Sequence, residues 1–114
     1  MAIGANGGSN EWAISYHGTN VKNIESIMAK GFKVGPRHLY GIGIYCAPNI
    51  SVAESYSPIF TNPKTGKKYK IVLQTRVQPN QITDCSKINN GPKDYWKVPD
   101  GRFIRPYAIC LKEF

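Results

Sequence analysis

The chain has 114 residues, 41% of them apolar and 19% charged, which suits one domain with its own core and excludes a disordered polyelectrolyte. No apolar run approaches the ~18 residues of a membrane-spanning helix, so no membrane partner is expected. Fifteen Lys and Arg against seven acids leave a net charge of +8, which favours anionic partners such as nucleic acid, acidic protein surfaces or phosphate-bearing ligands.

Residues 1–10 are rich in Gly, Ala and Asn and are expected to form a flexible N-terminal arm. The domain proper is expected over 11–114. Trp12 to His17 alternates large apolar and smaller residues and predicts a strand, closed by the turn Gly18-Thr19-Asn20. Val21, Ile24, Ile27 and Met28 recur at helical spacing. They predict an amphipathic helix over 21–30, capped by Gly31. A loop is expected over 33–42, then a short buried strand or tight turn over 42–46. Ser51-Val52-Ala53-Glu54 has a capping-box pattern and predicts a short helix through Tyr56.

Asn62-Pro63 and Thr65-Gly66 mark a turn, and Lys64, Lys67, Lys68 and Lys70 crowd around it as a solvated tip. Tyr69 to Val77 is the strongest strand pattern. Residues 78–93 read as a long loop and Tyr95 to Val98 as a short strand. After the turn Pro99-Asp100-Gly101, Phe103 to Leu111 is the last strand. Pro106 demotes it to an edge or a bulge. The expected architecture is α+β, with a mostly antiparallel core and two short helices.

Cys46, Cys85 and Cys110 are odd in number and fit no metal or redox spacing. Buried thiols in a reducing compartment are expected, which points to the cytoplasm or nucleus, with no metal. The N-terminus shows no basic-then-apolar leader, and Met1-Ala2 is no myristoylation signal. A monomer is expected.

Three separated pieces place polar groups at strand edges beside Gly or aromatic residues. They are Tyr16-His17-Gly18-Thr19, Tyr40-Gly41-Ile42-Gly43-Ile44-Tyr45 and Lys93-Asp94-Tyr95-Trp96. Taken singly, each has a structural reading. His17 suits a strand end, Tyr45 a core, and Asp94 a solvated surface. The Gly41/Gly43 pair lacks the third glycine and long helix of a dinucleotide fingerprint.

Taken together they are specific. His-Gly-Thr precedes a helix ending in Gly-Phe, then Gly-Ile-Gly-Ile-Tyr. Ala53 and Tyr56 stand eight and eleven residues after Tyr45, and an acid followed by Tyr precedes the final strand. From Trp12 to Phe114 this resembles the catalytic domain of the poly(ADP-ribose) polymerase family. These are diphtheria-toxin-like ADP-ribosyltransferases with a His-Tyr-Glu triad.

The resemblance implies a compact ADP-ribosyltransferase fold with a split β-sheet core, and NAD as co-substrate. It implies catalytic roles for His17, Tyr45 and Asp94, and donor binding by His17, Gly18, Thr19, Tyr45, Ala53 and Tyr56. His17 would bond the adenosine-ribose 2′-hydroxyl, and Gly18 would clamp the nicotinamide carboxamide. Tyr45 and Tyr56 would offer ring faces to the nicotinamide, worth ~0.5–2 kcal/mol. Ala53 stands where many members carry a Ser that bonds the carboxamide, at a cost of ~1 kcal/mol. Asp94 falls where polymerising members carry the catalytic Glu. One methylene shorter, it would stabilise the oxocarbenium-like transition state less well.

Polymer synthesis depends on that Glu, so mono-ADP-ribosylation of a protein or nucleic-acid acceptor, or NAD hydrolysis, is expected. One alternative is a weak or inactive transferase-fold module that binds nucleic acid or a partner protein. Another is an NAD-dependent RNA 2′-phosphotransferase gripping phosphate through Arg37, Arg76, Arg102 and Arg105.

Overall fold

The computed structural model describes residues 12–35, 41–87 and 94–114. The expected arm over 1–10 and the middle of the 33–42 loop lie outside these residues. In chain order the elements are β1 (Ala13–Gly18), α1 (Val21–Lys30), β2 (Ile44–Cys46), α2 (Ile50–Glu54), β3 (Phe60–Thr61), β4 (Lys68–Val77), β5 (Thr83–Asp84), β6 (Trp96–Val98) and β7 (Ile104–Glu113). Short 3₁₀ turns stand at Pro79–Gln81, Cys85–Lys87 and Gly101–Phe103. No described helix is long and apolar enough to cross a membrane.

The strands form two antiparallel sheets, as an α+β split-sheet reading requires. β4 pairs with β1, β3 and β7, while β6 pairs with β2 and β5. A bridge ties the sheets together: Tyr16 N–H donates to Ala47 O at 2.7 Å, and Ala47 N–H donates to Tyr16 O at 2.8 Å.

β4 is the spine. Its neighbours Val72 and Leu73 point to opposite faces and enter different cores. Leu73 joins Ile24, Phe32, Ile44, Val77, Val98 and Ile104. Val72 joins Ala47, Ala53, Cys85 and Tyr95. Burial on both faces accounts for the apolar run Ile71-Val72-Leu73 at the middle of this strand.

α1 forms over the predicted span. The Asn20 side chain accepts from Asn23 N–H at 3.2 Å. Gly31 ends the helix at φ +82° and donates to Ile27 O at 2.8 Å, a conformation that favours Gly. The buried stripe is narrower than the spacing suggests. Ile24 is buried, but Val21 and Met28 are exposed.

α2 starts two residues earlier than the capping box predicts. Asn49, not Ser51, is the cap. Its Oδ1 accepts both Ser51 N–H at 2.9 Å and Ser51 Oγ–H at 2.7 Å, so the serine feeds the cap instead of forming it. The helix closes at Glu54, and Tyr56 N–H continues the turn to Ala53 O.

One further detail differs from the sequence reading, and another agrees with it. The 78–93 stretch holds β5, a strand of two residues, too short to show a period. In β7, Ala108 opposes Gln74 while Pro106 opposes Thr75, leaving Tyr107 as a bulge. The proline sits at that irregularity of a strand bonded, among the described residues, only to β4, where its missing N–H is tolerated. Cys46 and Cys85 are buried and Cys110 is half-buried; all three are free thiols. Burial pushes the Cys46 thiol up to about 12, so it stays protonated and inert.

Candidate active site

The bridge between Tyr16 and Ala47 sets the end of β1 against β2. His17 therefore reaches across to Tyr45, and Gly18 meets α2. His17, Gly18, Thr19, Tyr45, Ala53 and Tyr56 all line one cleft of about 850 Å³. That volume lies in the range of pockets for organic ligands. The opposite wall comes from α1 and the turn after it, through Asn20, Asn23, Phe32 and Lys33.

Gly18 is required by close packing. A Cβ there would stand 2.0 Å from Ala53 O and 2.9 Å from Ser57 Oγ. Ser57 is buried and donates to Ile71 O at 2.7 Å, which fixes the turn beyond α2 onto β4. Thr19 is also buried, and its Oγ1 accepts from Asn23 Nδ2 at 3.1 Å. That bond ties the His-Gly-Thr turn to α1.

His17 Nδ1 lies 2.7 Å from Tyr45 O. A carbonyl only accepts, so Nδ1 carries the hydrogen. Burial lowers the His17 pKa below its ordinary value of 6.5, and the weaker pull of the Tyr45 carbonyl in the other direction does not restore it. The ring is thus neutral at pH 7, with Nε2 as a hydrogen-bond acceptor. Phe32 meets the ring edge-on, with centroids 4.9 Å apart and an interplanar angle of 80°.

Tyr45 donates its hydroxyl to Gly41 O. Its ring stacks on Tyr95 at 5.4 Å and 4°, and Tyr56 stacks on Tyr95 at 4.8 Å and 15°. Burial pushes the Tyr95 phenol far up, with Tyr56 and Cys85 adding to the shift, so this ring is uncharged.

Asp94 is exposed and left-handed, with φ +56°, and it is not part of the cleft lining. Its neighbour Tyr95 is. The strand register explains the difference. Tyr45 opposes Lys97, so the side chain two residues earlier, Tyr95, shares the Tyr45 face. Among the described residues no Asp or Glu lines the cleft, and Lys33 supplies its only formal charge. Ala53 presents a methyl group and cannot donate a hydrogen bond.

Sequence reasoning missed Tyr95 and the α1 wall. Strand alternation counted back from Lys97 is the signal that finds Tyr95. The polar side of α1 looks like an ordinary solvated face until the fold turns Asn20 and Asn23 toward the cleft.

A neutral imidazole, aromatic faces, close backbone and one cation make a site for a ligand that combines a planar ring, a sugar and phosphate. The family model of the poly(ADP-ribose) polymerase catalytic domain matches residues 6–98. That is more than half of the chain, and the chain belongs to this family. It is accordingly an ADP-ribosyltransferase domain with NAD as substrate. No curated protein matches the chain.

Proposed function

We propose that the chain transfers single ADP-ribose units. It breaks the bond between nicotinamide and ribose C1′ of NAD and passes ADP-ribose to a protein or nucleic-acid acceptor, or to water. The observation that carries this is the absence of a carboxylate among the described residues lining a cleft that holds His17, Gly18, Tyr45 and Tyr56.

In this reading His17 Nε2 accepts a hydrogen bond from the adenosine-ribose hydroxyl. Gly18 offers its peptide groups to the carboxamide, and Tyr45 and Tyr56 face the nicotinamide. Tyr95, not Asp94, takes the third place. A neutral phenol cannot supply the negative charge that the family's Glu brings to chain elongation. With His17 Nε2 engaged by the adenosine ribose, nothing else in the described wall is poised to take a proton from a hydroxyl acceptor. The preferred acceptor then brings its own ionised nucleophile, a carboxylate or a phosphate. Free, buried thiols at Cys46 and Cys85 suit the cytoplasm or nucleus.

Intact-mass analysis of an acidic acceptor protein incubated with the chain and NAD is expected to show single ADP-ribose increments. A ladder of lengthening polymers would overturn the proposal.

One observation favours a second reading, NAD binding without turnover. Tyr95 stacks on both rings meant for the nicotinamide. Calorimetric NAD binding with no nicotinamide release would select it. No observation favours the phosphotransferase reading. Arg76, Arg102 and Arg105 do not line the cleft, and Arg37 lies outside the described residues.

A further inference from the structure

A second feature stands on the four-stranded sheet. Ile14 of β1 opposes Arg76 of β4, which opposes Arg105 of β7. Directly opposed residues share a face. Trp12 precedes this row by two residues, and Tyr107 follows it at the bulge. The two arginines cross over to opposite rings. The Arg105 guanidinium lies 4.1 Å from the Trp12 ring centroid, and that of Arg76 lies 4.9 Å from the Tyr107 centroid. Arg76 Nη1 also donates to Trp12 O at 3.1 Å.

Two arginines directly opposite one another repel. Here an aromatic ring packs against each, with Arg76 half-buried and Arg105 exposed. Ile14, Arg105 and Tyr107 are exposed. α2 covers the other end of this face, where Gly18 meets Ala53, and leaves the arginine end open.

We infer that this arginine end of the sheet docks single-stranded nucleic acid. Phosphates answer the charge of the exposed Arg105, and unpaired bases stack on guanidinium planes and aromatic rings. An acidic protein would answer the charge but has no use for the stacked planes. Along β1 the same face passes from Ile14 to Tyr16, which lines the cleft, a rise of ~7 Å. A strand on the row therefore runs toward the cleft.

The inference rests on the proposed transfer and names its acceptor, a terminal phosphate of that strand. An ionised phosphate oxygen forms the new bond to C1′ as the C1′–nitrogen bond breaks. The bonding pair goes to the ring nitrogen, nicotinamide leaves neutral, and no base is needed.

The test is fluorescence polarisation of a 3′-labelled, 5′-phosphorylated oligouridine RNA. The wild-type chain is expected to bind it, less tightly as salt rises. Arg105→Ala and Tyr107→Ala should each weaken binding about tenfold, with nicotinamide release into buffer unchanged. Arg105→Lys, which keeps the charge but not the plane, should bind between the two and guards against a misfolded alanine variant. Binding that ignores all three changes, or no binding at low salt, overturns the inference. So does displacement of the RNA by polyglutamate at equal charge, which would point to an acidic protein instead. Nicotinamide release without RNA binding sinks this surface alone. RNA binding that follows the variants, with no NAD turnover, upholds the surface and sinks the transferase proposal.

Discussion

Replacing Gly18 with alanine is expected to lower the melting temperature by roughly 10–20 °C and to abolish nicotinamide release. The added Cβ would stand 2.0 Å from a backbone oxygen, Ala53 O, and 2.9 Å from Ser57 Oγ. Neither neighbour yields easily. Ala53 is buried within α2, and Ser57 is bonded to β4. Relief requires α2 to retreat by more than an ångström, at a cost of about 3 kcal/mol. The retreat carries Ala53 and Tyr56 away from His17, so the cleft loses a wall along with the stability. Thermal unfolding and nicotinamide release, measured on one preparation, check both effects. An alanine variant that melts and turns over like the wild type would show that β1 and α2 do not meet this closely.

His17→Ala is expected to cut nicotinamide release about 100-fold while the fold survives. The change removes the acceptor at Nε2 and the bond from Nδ1 to the Tyr45 carbonyl, a net loss of ~0.5–1.5 kcal/mol. Burial holds the His17 pKa below 6.5, so the folded imidazole binds its proton less readily than the unfolded one. Stability should therefore fall as pH drops below 6.5 and level off below the folded value. In the wild type, kcat/KM should stay flat from alkaline pH down through 6.5 and decline only below it, as Nε2 is protonated. The alanine variant should lose that acid limb. A decline already in progress above pH 6.5 would contradict a neutral, half-buried His17.

Most of the framework was legible because it is locally encoded. β4 is an apolar run, β1 alternates, and α1 carries its own cap residues, Asn20 and Gly31. The short elements were harder. Two candidate caps, Asn49 and Ser51, stand two residues apart, and only the hydrogen bonds show that Asn49 wins. Two residues of β5 carry no period at all. At the site, the triad expectation weighted residue type, and an acid at Asp94 looked right beside Tyr95. The strand pairing of Tyr45 with Lys97 turns Tyr95 into the cleft and leaves Asp94 outside its lining. The role of Asn23 and Lys33 in the facing wall depends on how α1 lies across the sheets. No local pattern encodes that placement.

The most direct measurement is nicotinamide release from NAD by the purified wild-type chain beside Asp94→Ala. Release from both proteins at equal rates is the predicted result, because Asp94 stands outside the cleft lining and Tyr95 within it. Release that disappears with Asp94 would restore the carboxylate to the reaction and contradict the assignment of Tyr95 to the third place. No release from the wild type, with no NAD binding by calorimetry, would contradict the transferase itself.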